Sequence, residues 1–301
     1  MNGWLIVNKF LYNDKFSDIY ARLTAAAVKA GCTLSLVTNA DISVRIDTGE
    51  LIISDISLDQ PDFIIFWDKD IRLARALEKL GFRLYNRADA IEACDDKSLT
   101  LSLLAGSVSM PRTFNVPFTY EHSGYTDLSF LGIIEEQLGY PFVLKECFGS
   151  FGEQVYLINS REECTDRLAK TGGRPCIIQE FIRCPWKGSR DIRINVVGNR
   201  CVAAMLRSNE DDFRANITNG GHMAPYTPTS AECEMALNVC EKLGLDFAGV
   251  DIMFGSDRNP ILCEVNSNAH FKSIFDCTGI NVADAIIEHI VSDTLLRERD
   301  A

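Results

Sequence analysis

No apolar run in this chain approaches the roughly 18 residues that a membrane-crossing helix needs, and Phe63-Ile64-Ile65-Phe66-Trp67 is only strand length. The amino terminus, Met1-Asn2-Gly3-Trp4, lacks a basic region followed by a long apolar stretch, so no signal peptide and no membrane partner are expected. Basic residues are in deficit, 30 against 42 acidic for a net charge of −12, which argues against nucleic-acid binding while allowing a locally basic pocket. There is no Cys-x-x-Cys pair among 11 cysteines. Cys147, Cys176 and Cys263 sit in apolar runs where a thiol behaves as a small hydrophobe, so reduced cysteines of a cytoplasmic enzyme fit better than a disulfide framework or a zinc site. The chain has no G-x-S-x-G elbow, no H-E-x-x-H pair, no G-x-G-x-x-G and no Gly-Lys dipeptide, which removes the serine-hydrolase, zincin, dinucleotide and P-loop readings. Of the four histidines, His289 reads as structural on an amphipathic helix, whereas His270 stands close enough to the last strand to lie near a substrate.

What is present describes a folded α/β chain. At 301 residues, 47% hydrophobic and 24% charged, it is long enough for two or three domains. Up to about residue 94, strand-like runs alternate with helical spacing: Trp4 to Val7, then Ile19, Leu23, Ala26, Ala27 and Ala30, then Thr33 to Val37. That alternation predicts a parallel sheet covered by helices. A middle region follows over 95–178, with a helix at Ser98 to Leu104 and strands at Pro141 to Cys147 and Gln154 to Ile158. The strand Cys176 to Phe181 is taken to open a third region, 179–301. There, two strands flank Gly198-Asn199-Arg200 as a hairpin, and Thr229 with Glu232 forms a capping box for a helix closed by Gly244.

Three constellations carry chemistry. Glu264 and Asn266 share one strand face, and Asp251 joins them if its strand pairs antiparallel with theirs. Two carboxylates and an amide oxygen make a hard-oxygen site that suits magnesium; the alternative is a solvated sheet face with scattered polar residues. Asp191, Arg193 and Asn195 share a face, with Arg207 on the partner strand, an arrangement that suits a polyphosphate with its metals or, equally, surface ion pairs. Lys145 interrupts the apolar strand Phe142-Val143-Leu144, where it is placed to reach a phosphate oxygen, and the loop Gly149 to Gly152 lets backbone N–H groups approach an anion.

In chain order these elements resemble the ATP-grasp superfamily and, within it, the RimK-like glutamate ligases. Asp96-Lys97 and Pro141-Phe142-Val143-Leu144-Lys145 look like the two nucleotide lysines, followed by a glycine-rich lid, Gly149-Ser150-Phe151-Gly152. Gln179-Glu180-Phe181-Ile182 is similar to the hinge that holds adenine, and Ser189-Arg190-Asp191-Ile192-Arg193 to the Asp-Ile-Arg element. Asp212-Phe213-Arg214-Ala215-Asn216 with Gly220-Gly221 resembles the RimK-like branch, while Gly249-Val250-Asp251-Ile252 and Glu264-Val265-Asn266 complete the metal signature.

The resemblance implies an amino-terminal domain ahead of a central and a carboxy-terminal ATP-grasp domain, with ATP between the last two. It implies a carboxylate–amine ligase that works through an acyl phosphate and joins an amino acid, glutamate-like, to a peptide, protein or small acid. Lys97, Lys145, Gly149, Ser150, Gly152, Gln179, Glu180, Phe181, Ile182, Asp191 and Arg207 would bind nucleotide; Arg193, Arg214 and Asn216 would serve catalysis. Asp251, Glu264 and Asn266 would hold magnesium, two ions by analogy, with manganese as a substitute. The departures are Ser267-Asn268-Ala269-His270-Phe271, where a short proline-containing turn is usual, and Phe151 with Glu153 in the lid. They fall on the substrate side and put the added amino acid in question, while Asn8, Lys9 and Phe10 stand where an amino-terminal domain would meet the acceptor. Rival readings are a non-catalytic ATP-binding regulator, a phosphotransferase, and a ligase forming an intramolecular amide or ester; homo-oligomerisation stays open.

Overall fold

The alternation of apolar runs and amphipathic helices at the amino terminus produces a parallel sheet, as the pattern predicts. The computed structural model describes residues 1–11, 14–48, 50–53, 59–149, 152–215 and 220–300. In chain order the first unit contains β1 (Asn2–Val7), α1 (Asp14–Lys29), β2 (Thr33–Thr38), a hairpin of β3 (Ile42–Arg45) and β4 (Glu50–Ile53), β5 (Phe63–Phe66), α2 (Ile71–Lys79) and β6 (Leu84–Tyr85). The sheet order is β2-β1-β5-β6, all neighbours parallel. Its central strands β1 and β5 are buried on both faces, which explains why they read as continuous apolar runs, whereas the edge strand β2 is partly exposed.

Two short helices, α3 (Ala88–Asp95) and α4 (Lys97–Leu104), lead onward, and the Asp96 carboxylate caps α4 by accepting from the N–H groups of Ser98 and Leu99. The second sheet holds β7 (Thr113–Asn115), β8 (Phe142–Glu146), β9 (Val155–Ile158) and β10 (Cys176–Glu180) in the order β7-β10-β8-β9, backed by α5 (Leu131–Leu138) and α6 (Arg161–Thr171). This corrects one expectation. The strand read as opening the third region lies at the middle of the second sheet, paired antiparallel with β7 and β8. Sequence adjacency to the next hairpin suggested otherwise, but both partners of β10 lie upstream of it.

The third sheet follows the order β13-β12-β11-β14-β15, built from β11 (Ser189–Val197), β12 (Arg200–Asn209), β13 (His222–Pro225), β14 (Phe247–Phe254) and β15 (Pro260–Asn266). Helix α7 (Ser230–Leu243) covers one face, with the capping box of Thr229 and Glu232 formed and Gly244 ending it in the left-handed conformation. Leu104 of α4 and Ala90 and Ala93 of α3 pack into the same core as α7 and this sheet, while Ala88 and Ile91 of α3 face the core of the first sheet. On the other face, α8 (Lys272–Thr278) and α9 (Val282–Asp300) share one core with α1 and the first sheet.

A buried amide helps to fasten the first unit to the third, beside the Arg83–Asp246 ion pair and the core the two units share. Asn86, fully buried, donates from Nδ2 to the carbonyls of Phe247 and Ser267 and accepts at Oδ1 from the N–H groups of Asp246 and Phe247. All four hydrogen-bonding positions of the side chain are filled, which is what makes its burial tolerable.

Candidate active site

The register of the third sheet sets the charges. Arg193 on β11 stands opposite Asp251 on β14, and Asp191 stands opposite Arg207 on β12. Arg193 donates from Nε and Nη2 to the two oxygens of Asp251, each at 2.6 Å. Arg207 donates to both oxygens of Asp191 at 2.6 and 2.8 Å and reaches Asp251 at 3.0 Å. Burial opposes ionisation of the Asp251 carboxyl, but the Arg193 and Arg207 guanidiniums overcome it and hold the group below the usual carboxylate range. For Asp191, burial prevails over Arg207 and raises the carboxyl, with the Asp251 charge adding to the effect. Gly249, two residues before Asp251, is needed for space: a Cβ there would meet the Ala269 Cβ at 2.6 Å.

A first cavity lies between the second and third sheets and gathers most of the nucleotide candidates. Lys145 of β8 lines it and has no ion-pair or hydrogen-bond partner among the described residues. Lys97 lines it too, its ammonium directed at the carbonyls of Cys147 and Gly149 and 3.6 Å from Glu264. Gly149 and Gly152 border it from the lid, and Gln179, Glu180, Phe181 and Ile182 from the end of β10. The Gln179 side chain turns away to donate to Thr113, and Glu180 is gripped by Arg112, so what these two offer the cavity is main chain. Asp191 and Arg214 complete the wall; Arg214 is held by Asp212 and donates to the Gly152 carbonyl at 2.8 Å. Ser150, Phe151 and Asn216 lie outside the described residues. Cys263 borders this cavity, but burial pushes its thiol up to about 12, and all eleven cysteines are free.

A second cavity of about 460 Å³ opens between the third sheet and the first unit. This is within the range of small-molecule sites, roughly 300–1,000 Å³. Arg193, Arg207 and Asn266 face this cavity rather than the first, and Glu264 lines both. Among the candidate metal residues, Glu264 therefore stands at the boundary of both spaces, with Asn266 beside it on the second. Asp251, 3% exposed, lines neither, and both of its oxygens already accept from arginines. The donor set still fits magnesium, which needs only one or two protein carboxylates beside water and phosphate oxygens.

The segment that departs from the usual pattern, Ser267 to His270, forms one wall of the second cavity, and Asn8 joins from the end of β1. His270 lies there, as its position after β15 suggested, packed edge-on against Phe16 at 4.6 Å between ring centroids. His289 sits apart, 3.5 Å from Asp246. Sequence reasoning did not single out Asp68, whose carboxylate is 8% exposed in the cavity wall, nor Asn268 as an individual group. The available signal was a carboxylate placed directly after five apolar residues.

Three comparisons bear on this geometry. A family model described as the RimK-like ATP-grasp domain matches residues 94–290. The uncharacterized protein MG012 homolog of Mycoplasma pneumoniae is 30% identical over 290 residues, covering 93% of this chain and 98% of that protein. Beta-citrylglutamate synthase B of Danio rerio is 32% identical over 230 residues; the match takes in 75% of this chain but only 54% of the synthase's length. The structure of D-alanine–D-alanine ligase from Bacillus anthracis complexed with ATP superimposes with a TM-score of 0.71 over 100% of both chains at 16% identity, a likeness of fold. On these grounds the chain belongs to the RimK-like ATP-grasp family and is an ATP-grasp ligase.

Proposed function

We propose that the protein joins a carboxylate to the amine of an amino acid, glutamate-like, with ATP held in the first cavity and the two organic substrates in the second. The observation that carries this reading is that Glu264 lines both cavities. A carboxylate shared between a space rimmed by two lysines and a space walled by two arginines stands where phosphoryl transfer from one to the other would occur. The substrate carboxylate takes the γ-phosphoryl group of ATP, and the amine then displaces phosphate from the acyl phosphate. Such a reaction requires in-line positioning and charge neutralisation more than a strong base or an enzyme nucleophile.

In this reading Lys97 and Lys145 hold the phosphate chain, and main-chain groups at Gln179 to Ile182 hold the adenine. Glu264 and Asn266 would hold magnesium, with Asp251 opposite Glu264 on β14. A bound metal would neutralise charge on the phosphoryl oxygens as the substrate carboxylate approaches. Arg193 faces the acceptor carboxylate from a position fixed by Asp251, and Arg214 meets the lid. The working units are 1–94, a central unit from 95 that ends after β10, and a carboxy-terminal unit. The name of the Danio rerio relative supports citrate and glutamate as first substrates to try.

The test is ADP release with L-glutamate paired against citrate, other small acids and short peptides, followed by product mass. ATP binding with no turnover for any pair would favour a regulatory ATP-binding protein. A phosphorylated product that hydroxylamine does not convert to a hydroxamate would favour a phosphotransferase. An amide product would establish the ligase.

A further inference from the structure

Among the described residues, Trp67 Nε1, Asp68 Oδ2, Asn266 Nδ2 and Asn268 Oδ1, all on side chains that line the second cavity, are buried without a hydrogen-bond partner. Buried polar atoms are seldom left so, and their meeting around one space points to a ligand that completes them. The set is mixed, two donors and two acceptors, so a purely anionic or purely cationic ligand would leave half of it unmet.

The charges narrow the choice. Arg193 and Arg207 are answered by Asp251 and Asp191. Lys69, beside Asp68, is paired with Asp95. Among the described residues the Asp68 carboxylate has no cation partner, and its side-chain neighbour is the neutral amide of Asn8. Asp68 Oδ1 accepts from the N–H groups of Lys69 and Asp70, which fixes the turn after β5 and leaves Oδ2 for the cavity. Asn268 donates from Nδ2 to the Asp68 carbonyl, and this orients its own Oδ1 as the second acceptor. The aromatic rings of Phe16, Tyr20 and Trp67 line the same space and suit an organic cation.

We infer that Asp68 Oδ2 and Asn268 Oδ1 form the subsite for the ammonium group of an α-amino acid, whose carboxylate end meets the donors of Trp67 and Asn266. The inference rests on the ligase reading and deepens it: the amine partner is selected where the first unit meets the third, and the amino group is what is recognised there. Binding alone is involved, and the loss of a proton before attack on the acyl group is a later event.

Glutarate is glutamate without the amino group, which makes the pair a direct probe. Equilibrium titration of each into the protein, loaded with magnesium and a non-hydrolysable ATP analogue, should show L-glutamate binding at least about tenfold tighter, as expected for hydrogen bonds to a charged group. Asp68→Asn keeps an acceptor for the turn and removes the charge; it should bring the two ligands to near-equal affinity while leaving affinity for the ATP analogue unchanged. Asn268→Ala, which keeps the N–H bonds to Asp68 Oδ1 and loses only the donor to the Asp68 carbonyl, should weaken glutamate in the same direction and serves if Asp68→Asn does not fold. Equal binding of glutamate and glutarate by the wild type, no binding of glutamate, or undiminished preference in the variants would overturn the inference. The ligase reading fails separately, on absent ADP release with every acid. Should ADP release with glutamate and citrate be found while Asp68→Asn leaves the KM for glutamate untouched, the ligase stands and this subsite falls.

Discussion

Arg193 and Asp251 face one another across β11 and β14 and are joined by two parallel hydrogen bonds of 2.6 Å. The pair is buried and Arg207 leans on the same carboxylate, so each charge is the condition for burying the next. Removing one member of a buried pair costs about 3–5 kcal/mol when the other charge is left uncompensated. Arg207 still holds Asp251, so Arg193→Ala should lower stability in denaturant titration by less than that while it reduces phosphoryl transfer, with ATP affinity little changed. Loss of ATP affinity alone would refute the placing of Arg193 on the acceptor side.

Glu264 has few structural duties: its side chain is a third exposed, and its ion-pair partner is Lys97 at 3.6 Å. Glu264→Gln should leave the thermal midpoint nearly unchanged and cut ADP release by at least about 10²- to 10³-fold, the scale for losing one fixed charge-stabilising group. Turnover at the wild-type rate in a coupled ADP assay would remove Glu264 from the metal site.

Lys145 presents the opposite balance. An ammonium on a strand with buried neighbours, lacking an ion-pair partner among the described residues, works against folding until an anion binds. Lys145→Met should raise the midpoint of thermal unfolding in the absence of nucleotide and raise the KM for ATP by about tenfold or more. A lower midpoint together with an unaltered KM would show that the lysine serves structure alone.

Asp68 yields a pH dependence. Burial raises its carboxyl above the ordinary value; the N–H groups of Asp70 and Lys69 and the Asn8 side chain oppose this, and the Asp70 charge adds to it. A carboxyl raised on folding supports the fold fully below its unfolded value, about 3.9, and that support is lost as pH rises through the folded value. The Asp68→Asn variant should accordingly be more stable than the wild type near pH 7, with the advantage shrinking towards pH 4. Parallel stability curves for the two proteins across that window would show that Asp68 is not strained by burial.

The site was legible in sequence wherever two-residue alternation and chain order reinforce each other. Asp191 with Arg193, and Glu264 with Asn266, need only strand periodicity to share a face. What Asp251 touches was not legible, since that depends on which strand lies on the far side of β14, and β11 is distant in sequence. The place of β10 in the second sheet was hidden for the same reason. Asn86 gave no signal, because a lone asparagine between an apolar dipeptide and a helix looks like any loop residue until its four partners are seen. Asp68 was passed over because the apolar run before it drew attention to burial and not to what the run delivers at its end.

The amide of Asn86 and the core common to α1, α8, α9 and the first sheet have a mechanical consequence. They make the first and third units a single jaw, whereas the second sheet has a separate core of its own, from Val116 to Ile178. The first cavity, where ATP is proposed to bind, then has one fixed side and one independent side, and a bound nucleotide would fasten the two. Independent cores melt independently unless a shared ligand couples them. Calorimetry of the nucleotide-free protein should resolve two transitions that ATP and magnesium draw together, with the smaller unit gaining most.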